Sequence, residues 1–298
     1  MPRRFVTLDV FTDTPFAGNP LAVVLDAEGL DTAAMQRIAA EFNLSETVFV
    51  LPPEETRRKA RLRIFTPTRE LPFAGHPTLG TAVLLALQDG RSELTDAVAF
   101  GLEEEIGVIS CVVETREEGG RVRFTLPVLP DYLGEGPEAE ALAIALGLSP
   151  GEIGFGRHEP SRHACGPDFI FVPLASTDAL DKARVDPAGL AALGEASALY
   201  LYCVDPEGIG HRYLTRMFAP HLGVPEDPAT GSAAAAFAGV MMEFEALGEG
   251  THDVAITQGV AMGRPSDIGL QIGIESGALR AVEISGSAVI VSEGTLRV

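Results

Sequence analysis

The spacing of apolar residues along the chain predicts short strands and a few helices. Residues 121–126 alternate apolar and polar side chains, which is typical of a strand with one buried face. Apolar residues recur at helical spacing behind Asp31, so a helix is predicted over residues 31–42 that ends near Asn43. Further strands are predicted at residues 5–10, 21–25, 47–50, 60–65, 107–114, 169–174, 198–204, 255–258, 269–274, 281–284 and 288–291.

Two segments, residues 79–87 and 233–242, are apolar on every side. Each has about half of the roughly 20 residues that a membrane span needs, so both are predicted to be buried helices. Shorter helices are predicted at residues 139–146 and, as a pair, between residues 174 and 196, and the Pro- and Gly-rich residues 127–137 are predicted to link two domains. This order does not match regular βαβ winding. It predicts an α+β fold in which sheets wrap around isolated helices.

An internal repeat relates residues 63–82 to residues 216–238. Each copy contains a strand, a Pro-bounded loop, a glycine and an apolar helix, and the second loop is three residues longer. The matched pairs are Arg63 with Arg216, Phe65 with Phe218, Pro67 with Pro220, and Gly75 with Gly231. The repeat indicates a duplication. Two similar domains that face each other would bring two helix N-termini to one cleft.

The composition narrows the classes of function. A chain of 298 residues with 46% hydrophobic side chains can bury two medium-sized cores. The 42 acidic and 22 basic side chains give a net charge of −20, which repels nucleic acid and anionic membrane surfaces. We therefore expect neither nucleic acid nor a membrane as a partner, and the acidic surface is explained by solubility.

The cysteines and the first residues bear on the cellular compartment. Cys111, Cys165 and Cys203 are odd in number and widely spaced, so neither a disulfide scaffold nor a metal site is predicted. The first residues have neither the apolar stretch nor the cleavage site of a secretory signal, so a cytoplasmic location is expected.

Two glycine turns precede the apolar helices. A helix N-terminus presents free N–H groups and the positive end of the helix dipole, and therefore binds carboxylates or phosphates. Gly75 and His76 stand at the first helix, and Gly231 and Ser232 stand at the second. Glycine allows the main chain to approach a ligand closely. The alternative is two ordinary capped helices.

Glu46 is the first candidate for proton transfer. It follows the end of a helix and directly precedes a predicted buried strand, where partial desolvation suits a carboxylate to act as a general acid or base. The alternative is a capping or surface glutamate. Ser45 beside it is either a substrate contact or a turn hydroxyl.

Three further polar residues remain open between site and structural roles. Asp227 precedes the second apolar helix and is either a site residue or a loop and cap residue. His76 is either a site residue or a satisfied loop histidine. Asn19 precedes a proline, which is the ordinary position of a turn residue.

Five motifs follow one another along nearly the whole chain. They are AGNPLAVV at 17–24, NLSETVF at 43–49, RIFTPTRELPFAGHPTLGTA at 63–82, RMFAP with EDPATGSA at 216–233, and QGVAMGRPS at 258–266. Together they resemble the PhzF-like family of phenazine biosynthesis. The resemblance implies a diaminopimelate-epimerase-like fold with two similar domains, each a curved or barrel-like sheet around a central helix.

The resemblance also implies how the domains and the site are built. The N-terminal domain would comprise residues 1–127 and 287–298, the C-terminal domain residues 128–286, with the active-site cleft between them. A homodimer, a small carboxylate substrate, and catalysis without a cofactor or a metal are implied as well. By the same resemblance Glu46 moves the proton with His76 and Asp227 as polar companions. The substrate contacts would be Asn19, Ser45, Gly75, Gly231 and Ser232.

One departure from the wider fold bears on the mechanism. Amino-acid epimerases of this fold place a cysteine at each helix N-terminus, whereas this chain has Ala74 and Thr230 there. Neither residue can exchange a proton at carbon near neutral pH, so single-carboxylate isomerisation by Glu46 is expected. The alternatives are a non-catalytic protein that binds a small molecule in the same cleft, and an epimerase of an amino or hydroxy acid.

Overall fold

The structure of the protein is a computed structural model that describes residues 2–89, 97–186, 189–190, 193 and 198–298. Its strands are β1 (Pro2–Val10), β2 (Asn19–Val24), β3 (Glu46–Leu51), β4 (Ala60–Phe65), β5 (Glu70–Leu71), β6 (Val98–Glu104), β7 (Gly107–Arg116), β8 (Gly119–Thr125), β9 (Asp131–Glu135), β10 (Ser161–Ala164), β11 (Asp168–Pro173), β12 (Ala198–Val204), β13 (His211–Ala219), β14 (Val224–Asp227), β15 (Gly250–Gln258), β16 (Ser266–Glu275) and β17 (Ala278–Arg297).

The described α-helices are α1 (Thr32–Phe42), α2 (Gly75–Gln88), α3 (Ala139–Leu146), α4 (Thr177–Lys182) and α5 (Gly231–Phe244). Short 3-10 helices span Pro150–Glu152, Pro220–Leu222 and Val260–Met262. Asp31 caps α1 by accepting the N–H of Ala34, and Asn43 ends it in the left-handed conformation at φ 51°. The predicted end of this helix is therefore confirmed.

Two compact units make up the chain. Unit 1 comprises Met1–Pro127, Gly263–Asp267 and Glu283–Val298, and unit 2 comprises Val128–Met262 and Ile268–Val282.

Unit 1 contains a closed barrel of eight strands. Going around it, β17 pairs with β1, β1 with β2, β2 with β3, β3 with β4, β4 with β6, β6 with β7, β7 with β8, and β8 with β17 again. Closure leaves no free edge in this ring. The two parallel pairs are β2 with β3 and β4 with β6.

α2 is the central helix of unit 1. It contacts six strands of the barrel, β1, β2, β3, β6, β7 and β8. All of its residues from Gly75 to Ala86 are buried, as expected for a helix that is apolar on every side. Gly80 lets it approach the barrel, because a Cβ at this position would lie 2.7 Å from side-chain atoms of Leu21 and Val10.

Unit 2 repeats four of the strand pairings of unit 1. The pairs β10–β11, β11–β12, β12–β13 and β13–β15 have the same parallel or antiparallel sense as β1–β2, β2–β3, β3–β4 and β4–β6. Its sheet curves around α5, which contacts β9, β10 and β11 and is buried over most of its length. The predicted fold of two similar domains, each with a sheet around a central helix, is confirmed.

Side-chain contacts within the repeat are also duplicated. The Arg63 guanidinium lies 5.2 Å from the ring centre of Phe65, and that of Arg216 lies 4.8 Å from the ring centre of Phe218. Arg63 forms an ion pair with Glu70. Arg216 forms the equivalent ion pair with a glutamate of the second loop. The sequence repeat therefore corresponds to a structural repeat.

Two local predictions need correction. The expected linker at 127–137 contains strand β9, whose backbone pairs with β10. The two strands predicted at 281–284 and 288–291 are one continuous strand, β17. Strand β6 was not predicted at all. Of the two helices predicted before residue 196, α4 is observed, and the remainder of that segment lies partly outside the described residues.

Candidate functional site

Three polar residues of unit 1 meet at the N-terminus of α2. Glu46 is the first residue of β3, Asn19 is the first residue of the parallel neighbour β2, and His76 is the second residue of α2. His76 Nε2 lies 3.4 Å from Glu46 Oε2, and His76 Nδ1 lies 3.4 Å from Asn19 Nδ2. The Glu46 side chain is 16% exposed, whereas Asn19 and His76 are buried. A chain of polar contacts therefore runs from the interior to a partly accessible carboxylate.

The environment of His76 sets its charge and its tautomer. Burial lowers the pKa of His76 to about 3, so the imidazole is neutral at pH 7. The amide nitrogen of Asn19 can only donate, so Nδ1 of His76 accepts and its single ring proton lies on Nε2, which faces Glu46. Glu46 thus faces a neutral N–H group and not an imidazolium cation. Contacts of 3.4 Å are long, but catalytic hydrogen bonds often tighten only when the substrate binds.

An ion pair holds the loop that leads into Asn19. Arg264 pairs with the buried carboxylate of Asp9 and donates a 2.7 Å hydrogen bond to the carbonyl of Gly18. Gly18 has φ +64°, and a Cβ there would lie 2.3 Å from a backbone carbonyl oxygen. Arg264 was not predicted as a site residue, although it belongs to the motif QGVAMGRPS.

The N-terminus of α2 has no side-chain cap. Its N-cap residue is Ala74, which has no side-chain hydrogen bond to offer, and Gly75 is the first helical residue. The orphan N–H groups of a first turn bind anions well. Ser45 lies directly before β3 and is partly exposed.

The polar residues of unit 2 form a second cluster. Asp227 Oδ2 accepts a 2.6 Å hydrogen bond from the hydroxyl of Thr230, the N-cap residue of α5. Gln258 Nε2 donates to the carbonyl of Asp227 at 2.8 Å and to Thr230 Oγ1 at 3.0 Å, and Gln258 Oε1 accepts the Thr230 N–H at 3.2 Å. Gly231 and Ser232 follow as the first buried residues of α5. Gln258 was not predicted, because a glutamine at the end of a strand carries no distinctive sequence signal.

The predicted site residues therefore fall into two groups. Unit 1 holds Asn19, Ser45, Glu46, Gly75 and His76, and unit 2 holds Asp227, Gly231 and Ser232. Within each group the structure brings polar atoms together. The roles assigned to these residues stay predictions.

The three cysteines are buried thiols. Burial raises the pKa of Cys165 to about 11 and that of Cys203 to about 12, and it raises the pKa of Cys111 further. All three are therefore protonated at pH 7. Ala74 and Thr230 occupy the N-cap positions of α2 and α5.

Comparison with known proteins places this arrangement in a family. Residues 8–294 match the PhzC-PhzF family, described as phenazine biosynthesis-like protein. The chain belongs to this family. It is 44% identical to an uncharacterised isomerase of Mesorhizobium japonicum, over 99% of this chain and 98% of the relative. It is 39% identical to trans-2,3-dihydro-3-hydroxyanthranilate isomerase of Pseudomonas fluorescens, over 99% of both chains.

Solved structures agree with the fold. A PhzF-family protein of Bacillus anthracis has a TM-score of 0.86 at 24% identity, and the alignment covers 100% of both chains. A hydroxyproline epimerase of Agrobacterium vitis shares the fold at 11% identity, with a TM-score of 0.67 over 99% of this chain and 91% of its own. Since named homologues that span nearly the full chain are isomerases, this PhzF-family chain is an enzyme of that class. Within the described part of the chain, no helix has the length and apolarity to cross a membrane.

Proposed function

We propose that this protein is a cofactor-independent isomerase that shifts a proton on a small carboxylate-bearing metabolite, with Glu46 as the acid and base. One observation carries the proposal: the carboxylate of Glu46 lies 3.4 Å from Nε2 of a buried histidine whose pKa is lowered to about 3. A cation at this place would stabilise the carboxylate and make Glu46 a weaker base. The neutral His76 brings no such positive charge to Glu46.

The proposed reaction moves one proton and changes nothing else in the substrate. The Glu46 carboxylate removes a proton from a carbon next to a conjugated system, and the electron pair of the broken C–H bond enters that system. The protonated Glu46 then returns the proton to another carbon of the same system, and the double bonds shift accordingly. No oxidant, reductant or second substrate is needed.

The helix N-termini fit a substrate that carries a carboxylate. The N–H groups of Gly75 and His76 in unit 1, and those of Gly231 and Ser232 in unit 2, begin helices that have no side-chain cap. Such N–H groups bind anions without a basic side chain, which suits a chain of net charge −20. We propose that both sets contact the substrate, with Asp227 holding a polar group of it.

The substrate class follows from the named relatives. Relatives at 38–39% identity over nearly the full chain are trans-2,3-dihydro-3-hydroxyanthranilate isomerases. We propose a substrate of this class, a cyclic conjugated acid with a carboxylate for the helix ends and a C–H bond acidified by the ring. The cytoplasmic location, the homodimer and the independence from cofactors and metals stay predictions.

The test is the variant Glu46→Gln, assayed with trans-2,3-dihydro-3-hydroxyanthranilate. Loss of a general acid and base is expected to lower kcat by about 10²–10⁴-fold. The affinity for anthranilate, a carboxylate that the enzyme cannot isomerise, is expected to stay within a few-fold. Glu41→Gln, an exposed carboxylate on α1, is the matched control and should behave as the wild type. Wild-type turnover by Glu46→Gln would overturn the assignment.

A further inference from the structure

A second carboxyl group of unit 1 lies deep beside the N-terminus of α2. Glu104 is the last residue of β6 and is only 8% exposed. Its Oε1 lies 2.6 Å from the hydroxyl oxygen of Thr78, in the first turns of α2. The same Thr78 hydroxyl lies 2.8 Å from the carbonyl oxygen of Ala74, the N-cap residue. Oε2 of Glu104 is buried and has no hydrogen-bond partner among the described residues.

The contacts of the Glu104 carboxyl group favour its protonated form. The Thr78 hydroxyl donates to Oε1 at 2.6 Å, whereas Oε2 is buried and has no hydrogen-bond partner among the described residues. An ionised carboxylate would carry part of its charge on this unpaired oxygen, and protonation removes the cost of burying that charge. In agreement with this, burial raises the pKa of Glu104 to about 8.

The second copy of the repeat has a glutamine at the same position. Arg61 of β4 pairs with Glu103 of β6, and the corresponding Leu214 of β13 pairs with Thr257 of β15. The residue after each of these is the last of its strand, Glu104 in β6 and Gln258 in β15. Glu104 and Gln258 are therefore counterparts in the repeat.

Gln258 contacts the N-cap residue of α5, as Glu104 contacts the first turns of α2 through Thr78. Both copies therefore place a hydrogen-bonding side chain at this position. In unit 2 it is an amide, which cannot ionise, and in unit 1 it is a carboxyl group.

We propose that Glu104 is a positioning residue of this isomerase, that it works in the protonated form, and that it keeps the amino end of α2 free of negative charge so that the helix end can bind the substrate carboxylate. This inference rests on the proposed function. Ionised Glu104 would compensate the partial positive charge of the helix N-terminus, about half an elementary charge, which the substrate carboxylate otherwise uses.

Among the residues that the structure describes, none supplies a compensating cation to Glu104. The thiol of Cys111 on β7 interacts with Glu104 and is itself neutral. Arg61 and Arg63 of β4 line a cavity with Glu104, but Arg61 is paired with Glu54, and Arg63 is paired with a carboxylate of β5. A negative charge on Glu104 would therefore be uncompensated, and binding should weaken as the pH rises through about 8.

The experiment measures the Kd of anthranilate against pH for the wild type and Glu104→Gln. If only the protonated form binds, the wild-type Kd rises about fivefold from pH 8 to pH 9. Glu104→Gln copies the amide of Gln258, so its Kd should stay flat over this range. Glu105→Gln, the exposed neighbour, is the matched control and should keep the wild-type rise. The same alkaline rise in Glu104→Gln would overturn the proposal.

Infrared difference spectroscopy of the wild type tests the protonation without any activity. We expect a carbonyl band of a protonated carboxyl group at pH 7 that disappears above pH 8 and shifts in Thr78→Val. Absence of this band at pH 7 would overturn the proposal even if Glu104→Gln fails to fold. Failure of Glu46→Gln to lose turnover would refute the proposed function and leave this band unaffected, so the two failures are distinguishable.

Discussion

The two copies of the repeat share four strand pairings and differ in their ionisable side chains. Phe65 pairs with Thr47, and its repeat counterpart Phe218 pairs with Leu199. The residues directly before Thr47 and Leu199 are Glu46 and Ala198, which are therefore counterparts. The sequence match at the glycine turns makes Ser232 the counterpart of His76. In the same way Gln258 is the counterpart of Glu104. Unit 1 thus has an ionisable group at three positions where unit 2 has none.

Asp227 is the opposite case. Its counterpart in unit 1 is Leu71, and its carboxylate is held by the hydroxyl of Thr230. This difference between the copies suggests a division of work. Under the proposed function, proton transfer belongs to unit 1, which holds Glu46, and unit 2 contributes a polar surface with one anchored carboxylate.

The largest expected effect is a difference in the free energy of unfolding between variants of the two duplicated arginines. Arg216 is 7% exposed and also donates to the carbonyls of Leu180 and Ala183 at 2.9 Å, whereas Arg63 is 24% exposed. Removing one partner of a buried ion pair costs about 3–5 kcal/mol, and removing one of a more exposed pair costs about 1 kcal/mol. Urea unfolding of Arg216→Met and Arg63→Met should therefore show this order. Equal losses would mean that burial does not distinguish the two copies.

The next effect concerns the carboxylate of unit 2. Asp227→Asn removes the charge from the 2.6 Å hydrogen bond with Thr230. A hydrogen bond to a charged group contributes about 1.5–3 kcal/mol. If this energy is lost from binding of the transition state, kcat/KM falls roughly 10–100-fold. If unit 2 binds and unit 1 transfers the proton, most of this loss is expected in KM. Asp253→Asn, an exposed residue of β15, is the control. A loss of kcat as large as in Glu46→Gln with unchanged KM would place proton transfer in unit 2.

The smallest effect is a pH dependence of stability that comes from His76. The pKa of His76 falls from 6.5 to about 3 on folding, so below pH 6.5 the unfolded chain takes up a proton that the folded protein does not. The free energy of unfolding should then decrease by about 1.4 kcal/mol per pH unit as the pH falls, or by about 2 kcal/mol from pH 6.5 to pH 5. His76→Gln should lack this part of the slope.

Ser232→Ala, at the counterpart position in unit 2, should keep the full wild-type slope between these pH values. Urea unfolding at both pH values measures the difference. An unchanged slope in His76→Gln would show that this histidine is not buried in its neutral form.

The repeat could be predicted from the sequence because the matched positions of its two copies have identical residues. Arg63, Phe65 and Gly75 have the same residue types as their counterparts, and the contact between the arginine and the phenylalanine recurs in both units. The helix at 31–42 could be predicted because Asp31 and the apolar spacing agree. Glu46 could be singled out because it precedes a buried strand.

Other features leave no periodic pattern. Strand β6 has Gly101 in its middle and exposes part of its apolar side chains, so its alternation is weak and the position of Glu104 could not be foreseen. Strand β9 is mostly exposed and is held by backbone pairing with β10. β17 was divided into two strands because Ser-Gly-Ser interrupts its apolar pattern. Gly286 is required there, since a Cβ would lie 2.4 Å from the ring of Phe11.

Proton transfer by Glu46 can be followed directly through the incorporation of solvent deuterium into carbon. Wild-type enzyme, Glu46→Gln and Glu41→Gln would each turn over trans-2,3-dihydro-3-hydroxyanthranilate in deuterated water, and the rate at which deuterium enters carbon would be followed by NMR and mass spectrometry. If Glu46 transfers the proton, the wild type and Glu41→Gln incorporate deuterium, and the rate is at least about 10²-fold lower in Glu46→Gln. Incorporation by Glu46→Gln at the wild-type rate would contradict this role of Glu46.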